Sequence, residues 1–230
     1  MSNPSEQYVR DVIVPIAEVE LQHDELAYKR LCGTGFVIGR SKYLLTAAHV
    51  LENVEFAVGM KTKEGNWFSI EIEIAAQHPS EDIVICAIKD DQFFESWLRL
   101  DGNHYHQACE YHIFGYPDDV LYEADQRGID GRILQRPDLI YTKGYIRRRF
   151  SSKLPGLRGQ SFFELSDPAG AGCSGAPLVM GFDTPWRVAG IYVGERTTEQ
   201  AGRALRERGY ALRIEAVTDW LRAIDPILLE

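Results

Sequence analysis

The chain has 230 residues with a formal net charge of −9, and 45% of its residues are hydrophobic. That is ample core material for one compact unit or two small, closely packed ones, while the acidic balance excludes the basic face by which nucleic-acid proteins release counterions. No apolar run approaches the ~20 residues needed to span a bilayer. The opening MSNPSEQYVRDVIVPI also lacks the basic start, apolar core and small-residue cleavage site of a signal peptide, so the sequence reads as cytoplasmic with no membrane partner.

In chain order the pattern is one of short strands. FVIG (36–39), YLLT (43–46), FAVGM (56–60) and IVICAI (83–88) are brief apolar runs, and between residues 68 and 74 apolar positions alternate with Ser69, Glu71 and Glu73. A period of two marks a half-buried strand, and closely spaced strands without long helical crossovers point to barrels or sandwiches. The polar stretch DGNHYHQACE then reads as a linker over 101–110. A second series follows: YHIFGYP, LIYTKGYI, SFFEL, APLVM, WRVAGIYV and YALRI. Within it, Arg147, Arg148 and Arg149 read as a solvated loop, and the charged 194–209 as a long mobile loop. Val217, Trp220, Leu221 and Ile224 recur at helical spacing and predict a C-terminal helix over 215–224.

The expected fold is therefore all-β, with units at 1–100 and 111–214, a linker at 101–110, and a helix and tail at 215–230. Cys32, Cys86, Cys109 and Cys173 have no metal-binding or paired spacing and are expected as free thiols. His104 and His106 form a His-x-His pair without nearby carboxylate or cysteine ligands, so a polar linker is favoured over a metal site. No cofactor is expected. The closing Leu229-Glu230 fits a cloning remnant, in which case the natural chain continues past residue 228.

Chemistry concentrates in three places. PAGAGCSGAPLV (168–179) sets Ser174 among small residues before an apolar run. A serine hydroxyl is a poor nucleophile until a base takes its proton, and that base works best when a buried carboxylate holds its tautomer. His49 follows an apolar strand among small alanines, and Asp82 stands at the mouth of a fully apolar strand. Taken singly, His49 reads as a structural or surface histidine, Asp82 as strand punctuation, and Ser174 as turn chemistry.

Together, in the order His, Asp, Ser, the segments GTGF…LLTAAHV, DIVICAI and GCSGAPLV resemble the trypsin/chymotrypsin superfamily of serine peptidases. The spacing agrees, with 33 residues from His49 to Asp82 and 92 from Asp82 to Ser174. GTGF, YHIFGYP and YTKGYI look closer to the bacterial HtrA-type and cytoplasmic branches than to digestive enzymes. The resemblance implies two perpendicular six-stranded antiparallel β-barrels with a cleft between them. His49 and Asp82 would come from the first barrel and Ser174 from the second, with an oxyanion hole from the backbone N–H groups of Gly172 and Ser174.

It also implies a substrate pocket near Asp167, Pro168, Tyr192, Val193, Gly194, Glu195 and Gly209. Asp167 or Glu195 would select Lys or Arg, whereas an HtrA-like pocket takes small apolar side chains; both stay open. Digestive members carry an acid just before the nucleophile, which pairs with a new N-terminus on activation, and here that position is Cys173. The histidine-loop disulfide is missing too, since Val50 follows His49.

The expected activity is that of a serine endopeptidase acting on protein or peptide substrates. It would work as a module of a larger bacterial signalling or defence system, with an activating partner protein if the serine loop is latent. The alternative is a catalytically silent double barrel that binds peptides or partners. An α/β-hydrolase esterase is excluded, because Ala176 stands where GxSxG requires glycine and the residue order differs.

Overall fold

Short runs of β-branched and aromatic residues broken by turn residues become the strands of two barrels in the computed structural model, which describes residues 9–22, 25–38, 42–55, 57–63, 66–89, 96–119, 137–200 and 203–229. The first barrel contains β1 (Ile13–Gln22), β2 (Glu25–Val37), β3 (Tyr43–Thr46), β4 (Ala57–Lys63), β5 (Asn66–Gln77) and β6 (Val84–Ile88). They close in the order β1-β2-β3-β6-β5-β4, every pair antiparallel, with Ile16 facing Gly59 across the closing seam.

A short strand, β7 (Leu98–Leu100), comes next in the chain and pairs in parallel with a strand of the second barrel. The second barrel contains β8 (Glu110–Gly115), β9 (Ile140–Ser151), β10 (Ser161–Leu165), β11 (Pro177–Val179), β12 (Trp186–Gln200) and β13 (Arg203–Arg213). Its order is β11-β8-β9-β10-β13-β12, closed by β11 pairing with β12, and β7 lies outside the ring against β12. The architecture is thus mostly β, two closed six-stranded antiparallel barrels with one helix near the C-terminus, α1 (Thr218–Ile224).

Burial follows strand periodicity. In β10, Phe162 joins the core that also holds Ile13, Phe36 and Leu44 of the first barrel, while its neighbour Phe163 joins a second core with Tyr111, Ile113 and Leu165. Ile191 and Tyr192 of β12 divide in the same way. Alternate side chains therefore serve the seam between barrels and the interior of the second one, which is why SFFEL is buried at every position. In β5 the expected alternation holds at Ile70 and fails at Ile74, which is 50% exposed beside a bulge between Ile74 and Ala76.

Two expectations are overturned. Residues 194–209 are not a mobile loop: β12 and β13 pair in register from Gly190 opposite Arg213 to Gln200 opposite Arg203. Arg147, Arg148 and Arg149 are not a loop either but part of β9, where Arg147 and Arg148 pair with Glu164, and Arg149 with Glu215 at 2.6 Å. Between the barrels, 101–109 carries no strand, although Ala108 and Cys109 already hydrogen-bond to Ile146 of β9. The expected helix is split: a 3₁₀ turn covers Ile214–Ala216 and α1 follows, burying Val217 and Leu221.

Candidate active site

His49 lies in a 3₁₀ turn, Ala48–Leu51, entered directly from β3. Ala47 and Ala48 are buried, and their small side chains let the turn lie close against the barrel. Asp82, 1% exposed, precedes β6 at the end of a turn in which the His78 N–H donates to the Ile83 carbonyl. The His49 backbone N–H donates to Asp82 Oδ1 at 3.0 Å, and its ring Nδ1 meets Asp82 Oδ2 at 2.7 Å. A carboxylate fixed by both bonds holds the proton on Nδ1 and leaves Nε2 as the free base. Burial opposes protonation of His49, but the Asp82 hydrogen bond and charge, with Glu52, outweigh it and raise the imidazole pKa above 6.5.

The loop before β11 is shaped by backbone. Cys173 N–H donates to Gly170 O, and Ala176 N–H to Cys173 O, coiling the chain tightly about Ser174. Gly172 has φ +88°, and a Cβ there would strike the Tyr116 carbonyl and Asp118 nitrogen. Gly175, φ +93°, has no room for a Cβ beside the Thr34 carbonyl and the Thr46 hydroxyl. Only glycine satisfies both demands.

Asp118 N–H donates to Ala171 O at 2.9 Å. Because a trans peptide points its C=O and N–H in opposite directions, this bond turns the Gly172 N–H to the other side of the chain. The Cys173 thiol donates to Ala169 O, and burial pushes its pKa up to about 12. It is a neutral packing group inside the loop.

Thr34, fully buried on β2, joins the two halves. Its N–H donates to Ser174 O at 2.8 Å, and its hydroxyl donates to Gly172 O at 3.0 Å while accepting the Tyr116 N–H at 3.0 Å. Beside it, the Ser174 carbonyl and the Val50 side chain both close on Gly33. The Ser174 loop and the His49 turn thus meet on one strand of the first barrel, and His49 and Asp82 touch directly.

The other predicted residues divide. Tyr192 is fully buried; its hydroxyl accepts the Ala169 N–H at 3.1 Å and donates to Glu195 at 3.2 Å. A Cβ on Gly209 would lie 3.1 Å from the Tyr192 ring and 3.2 Å from the Pro168 Cα. The phenol therefore fills the space that Pro168, Ala169 and Gly209 would otherwise enclose. Asp167 turns its carboxylate toward Gly144 of β9, where it accepts the Ser166 hydroxyl at 2.6 Å. Val193 is buried in the seam and Gly194 adopts φ +132° at a bulge in β12. Burial, reinforced by the Glu207 charge, raises the pKa of Glu195 against its hydrogen bonds to Tyr192 and the Gly170 backbone.

A family model described as the trypsin-like peptidase domain matches residues 33–191, from the strand that holds Thr34 through the Ser174 loop. The chain belongs to the trypsin-like peptidase family. Among solved structures, this trypsin-like peptidase is similar to the MamO protease domain of Magnetospirillum magneticum in its apo form, with TM-score 0.64 and 11% identity over 93% of this chain and 97% of that one. It is similar to the active form of the Rv3671c protease of M. tuberculosis, with TM-score 0.64 and 20% identity over 97% and 85%. The HtrA-type protease AlgW with a decapeptide gives TM-score 0.64 and 13% identity over 94% and 67%. At these identities the likeness is one of fold. No curated protein sequence matches this chain.

Among the described residues of the trypsin-like peptidase, no cluster of His, Cys, Asp or Glu could hold a metal ion, and His104 instead meets Arg149 at 2.8 Å. No described helix is long and apolar enough to cross a membrane. Sequence reasoning placed Tyr192 among the pocket residues but missed Thr34 as the junction. The position of Thr34 inside GTGF was the available signal.

Proposed function

We propose that the chain is a serine endopeptidase using His49, Asp82 and Ser174. The observation that carries this is the buried Asp82 carboxylate, which takes both the backbone and the ring Nδ1 of His49. His49 Nε2 takes the Ser174 proton as Oγ bonds to the substrate carbonyl carbon, and the Gly172 and Ser174 N–H groups receive the resulting oxyanion. His49 then gives that proton to the leaving amine as the C–N bond breaks. Water, deprotonated by His49 in turn, displaces Ser174 to release the acid.

The loop is formed without an acid at residue 173, since the Asp118 N–H, the Thr34 hydroxyl and the Cys173 thiol all hold it. This supports an enzyme competent with its N-terminus uncut. The Tyr192 ring packed beside Gly209 and Pro168 supports a small P1 side chain such as Ala or Ser, and the Asp167 carboxylate, engaged by the Ser166 hydroxyl, argues against its selecting Lys or Arg. The substrate is a protein or peptide met in the cytoplasm, and the chain serves as the protease module of a larger bacterial assembly.

The test is labelling with a fluorophosphonate beside Ser174→Ala and His49→Ala. Labelling of wild type alone is expected. A folded wild type that does not react would instead make the chain a silent peptide-binding module or a latent enzyme awaiting its partner.

A further inference from the structure

Glu81 stands one residue before Asp82, is 4% exposed, and is left unused by the mechanism above. Its backbone belongs to the first barrel: the N–H donates to His78 Nδ1 at 2.9 Å and the carbonyl accepts the Ile83 N–H at 3.1 Å. Its carboxylate belongs to the second. Oε2 accepts the N–H groups of Gln160 at 3.1 Å and Ser161 at 3.4 Å, and Oε1 accepts the Ser161 hydroxyl at 3.1 Å. Those three donors open β10, and Gly159 just before them leaves the space the carboxylate occupies.

Arg158 and Trp220 also reach across the seam beside this turn. Arg158 donates to the His78 carbonyl at 3.0 Å and pairs with Glu52 at 3.2 Å. The Trp220 ring of α1 meets the His78 ring edge-on, with centroids 5.1 Å apart. His78 Nδ1 accepts the N–H groups of both Ser80 and Glu81, so this nitrogen carries no proton; burial, opposed by the Glu81 charge and aided by the smaller effect of Arg158, lowers the imidazole pKa. The Glu81 charge also acts on Arg213, opposing the burial that lowers the pKa of that guanidinium.

We infer that Glu81 is a positioning residue, tying the Asp82 turn to β10 so that the Asp82 carboxylate stays seated on His49 while the barrels hold His49 and Ser174 in register. This rests on the proposed triad. A carboxylate that gathers three donors across an interface, one residue from the group that orients the base, fixes distance as well as stability. Displacement of a catalytic group by about 1 Å costs on the order of 10²-fold in rate.

The experiment compares Glu81→Ala, Glu81→Gln and Ser161→Ala in the full chain, with NMR titration of the His49 imidazole and fluorophosphonate labelling rates, each at a temperature where the variant is folded. Glu81→Gln keeps the shape: its carbonyl oxygen accepts the two N–H groups and its amide donates to the Ser161 hydroxyl. It should titrate and label as wild type does. Glu81→Ala should drop the His49 midpoint toward 6.5 and slow labelling on the order of 10²-fold. Ser161→Ala, which leaves the Asp82 turn untouched, should move both in the same direction by less.

The inference is overturned if folded Glu81→Ala and Ser161→Ala keep the wild-type midpoint and rate, or if Glu81→Gln is as damaged as Glu81→Ala. A wild type that titrates high at His49 yet never reacts with the probe would sink the triad reading instead, while the titrations still decide the role of Glu81.

Discussion

The two barrels prepare their shares of the site by different means. In the first, a buried carboxylate grips a histidine through two directed hydrogen bonds, so charge and side chain do the positioning. In the second, the serine loop is held by glycine conformations, backbone carbonyls and a neutral thiol. The lesson is that a charged orienter can be replaced: a loop whose Ala171, Gly172 and Ser174 carbonyls are pinned from outside needs no internal ion pair. Substitutions at the His49–Asp82 pair should therefore act through protonation, and those around the Ser174 loop, Thr34 included, through geometry.

The largest effects fall on the groups that exchange the proton. Ser174→Ala or His49→Ala should lower turnover on the order of 10⁶-fold in a peptidase assay. Asp82→Asn should cost about 10⁴-fold, because the histidine loses its tautomer, with the protein still folded by circular dichroism.

Thr34→Val removes the hydroxyl that holds the Gly172 carbonyl and receives the Tyr116 N–H. Loss of one oxyanion-hole element costs roughly 10²- to 10³-fold, and here kcat should fall without any change in the pH profile. That contrast with Asp82→Asn separates geometry from protonation.

Tyr192→Ala should open the pocket. P1 scanning of a peptide library would then show larger side chains gaining about 10- to 200-fold relative to alanine. Unchanged selectivity would mean that the phenol does not set the pocket.

The smallest effect is one of pH. The folded-state pKa of His49 is raised above 6.5, so protonation is favoured in the folded protein and the free base is lost as pH falls through the raised value. The acid limb of kcat/KM should have its midpoint above 6.5, and Asp82→Asn should shift it down. The stabilisation from the His49–Asp82 pair has the same origin: it is fully present below 6.5 and lost as pH rises through the raised pKa.

Much of the fold, and the contact between His49 and Asp82 in the candidate site, was legible because it is local. LLTAAHV, DIVICAI and GCSGAPLV each carry their own strand or turn, and the alternating FSIEIEI predicts half-buried β5. What was not legible is long-range. Thr34 meets Gly172 across 138 residues and Glu81 meets Gln160 across 79, and neither partner has a local sign of the other. The β12–β13 hairpin was misread for a different reason. Beyond Gly194 its pairing runs through Arg, Thr and Glu rather than alternating apolar positions, so no period-two pattern announced it.

The grip of Thr34 on the serine loop has a consequence for biosynthesis. Thr34, His49 and Asp82 leave the ribosome first, while Gly172 and Ser174 follow more than a hundred residues behind Thr34. The Ser174 loop takes its shape only when those late residues close on a β2 strand already in place. A half-made chain carries the His49–Asp82 pair without Ser174, and a detached second half carries the Ser174 loop without its mould on β2. The candidate site is therefore complete only when residues 34 and 174 belong to one finished chain.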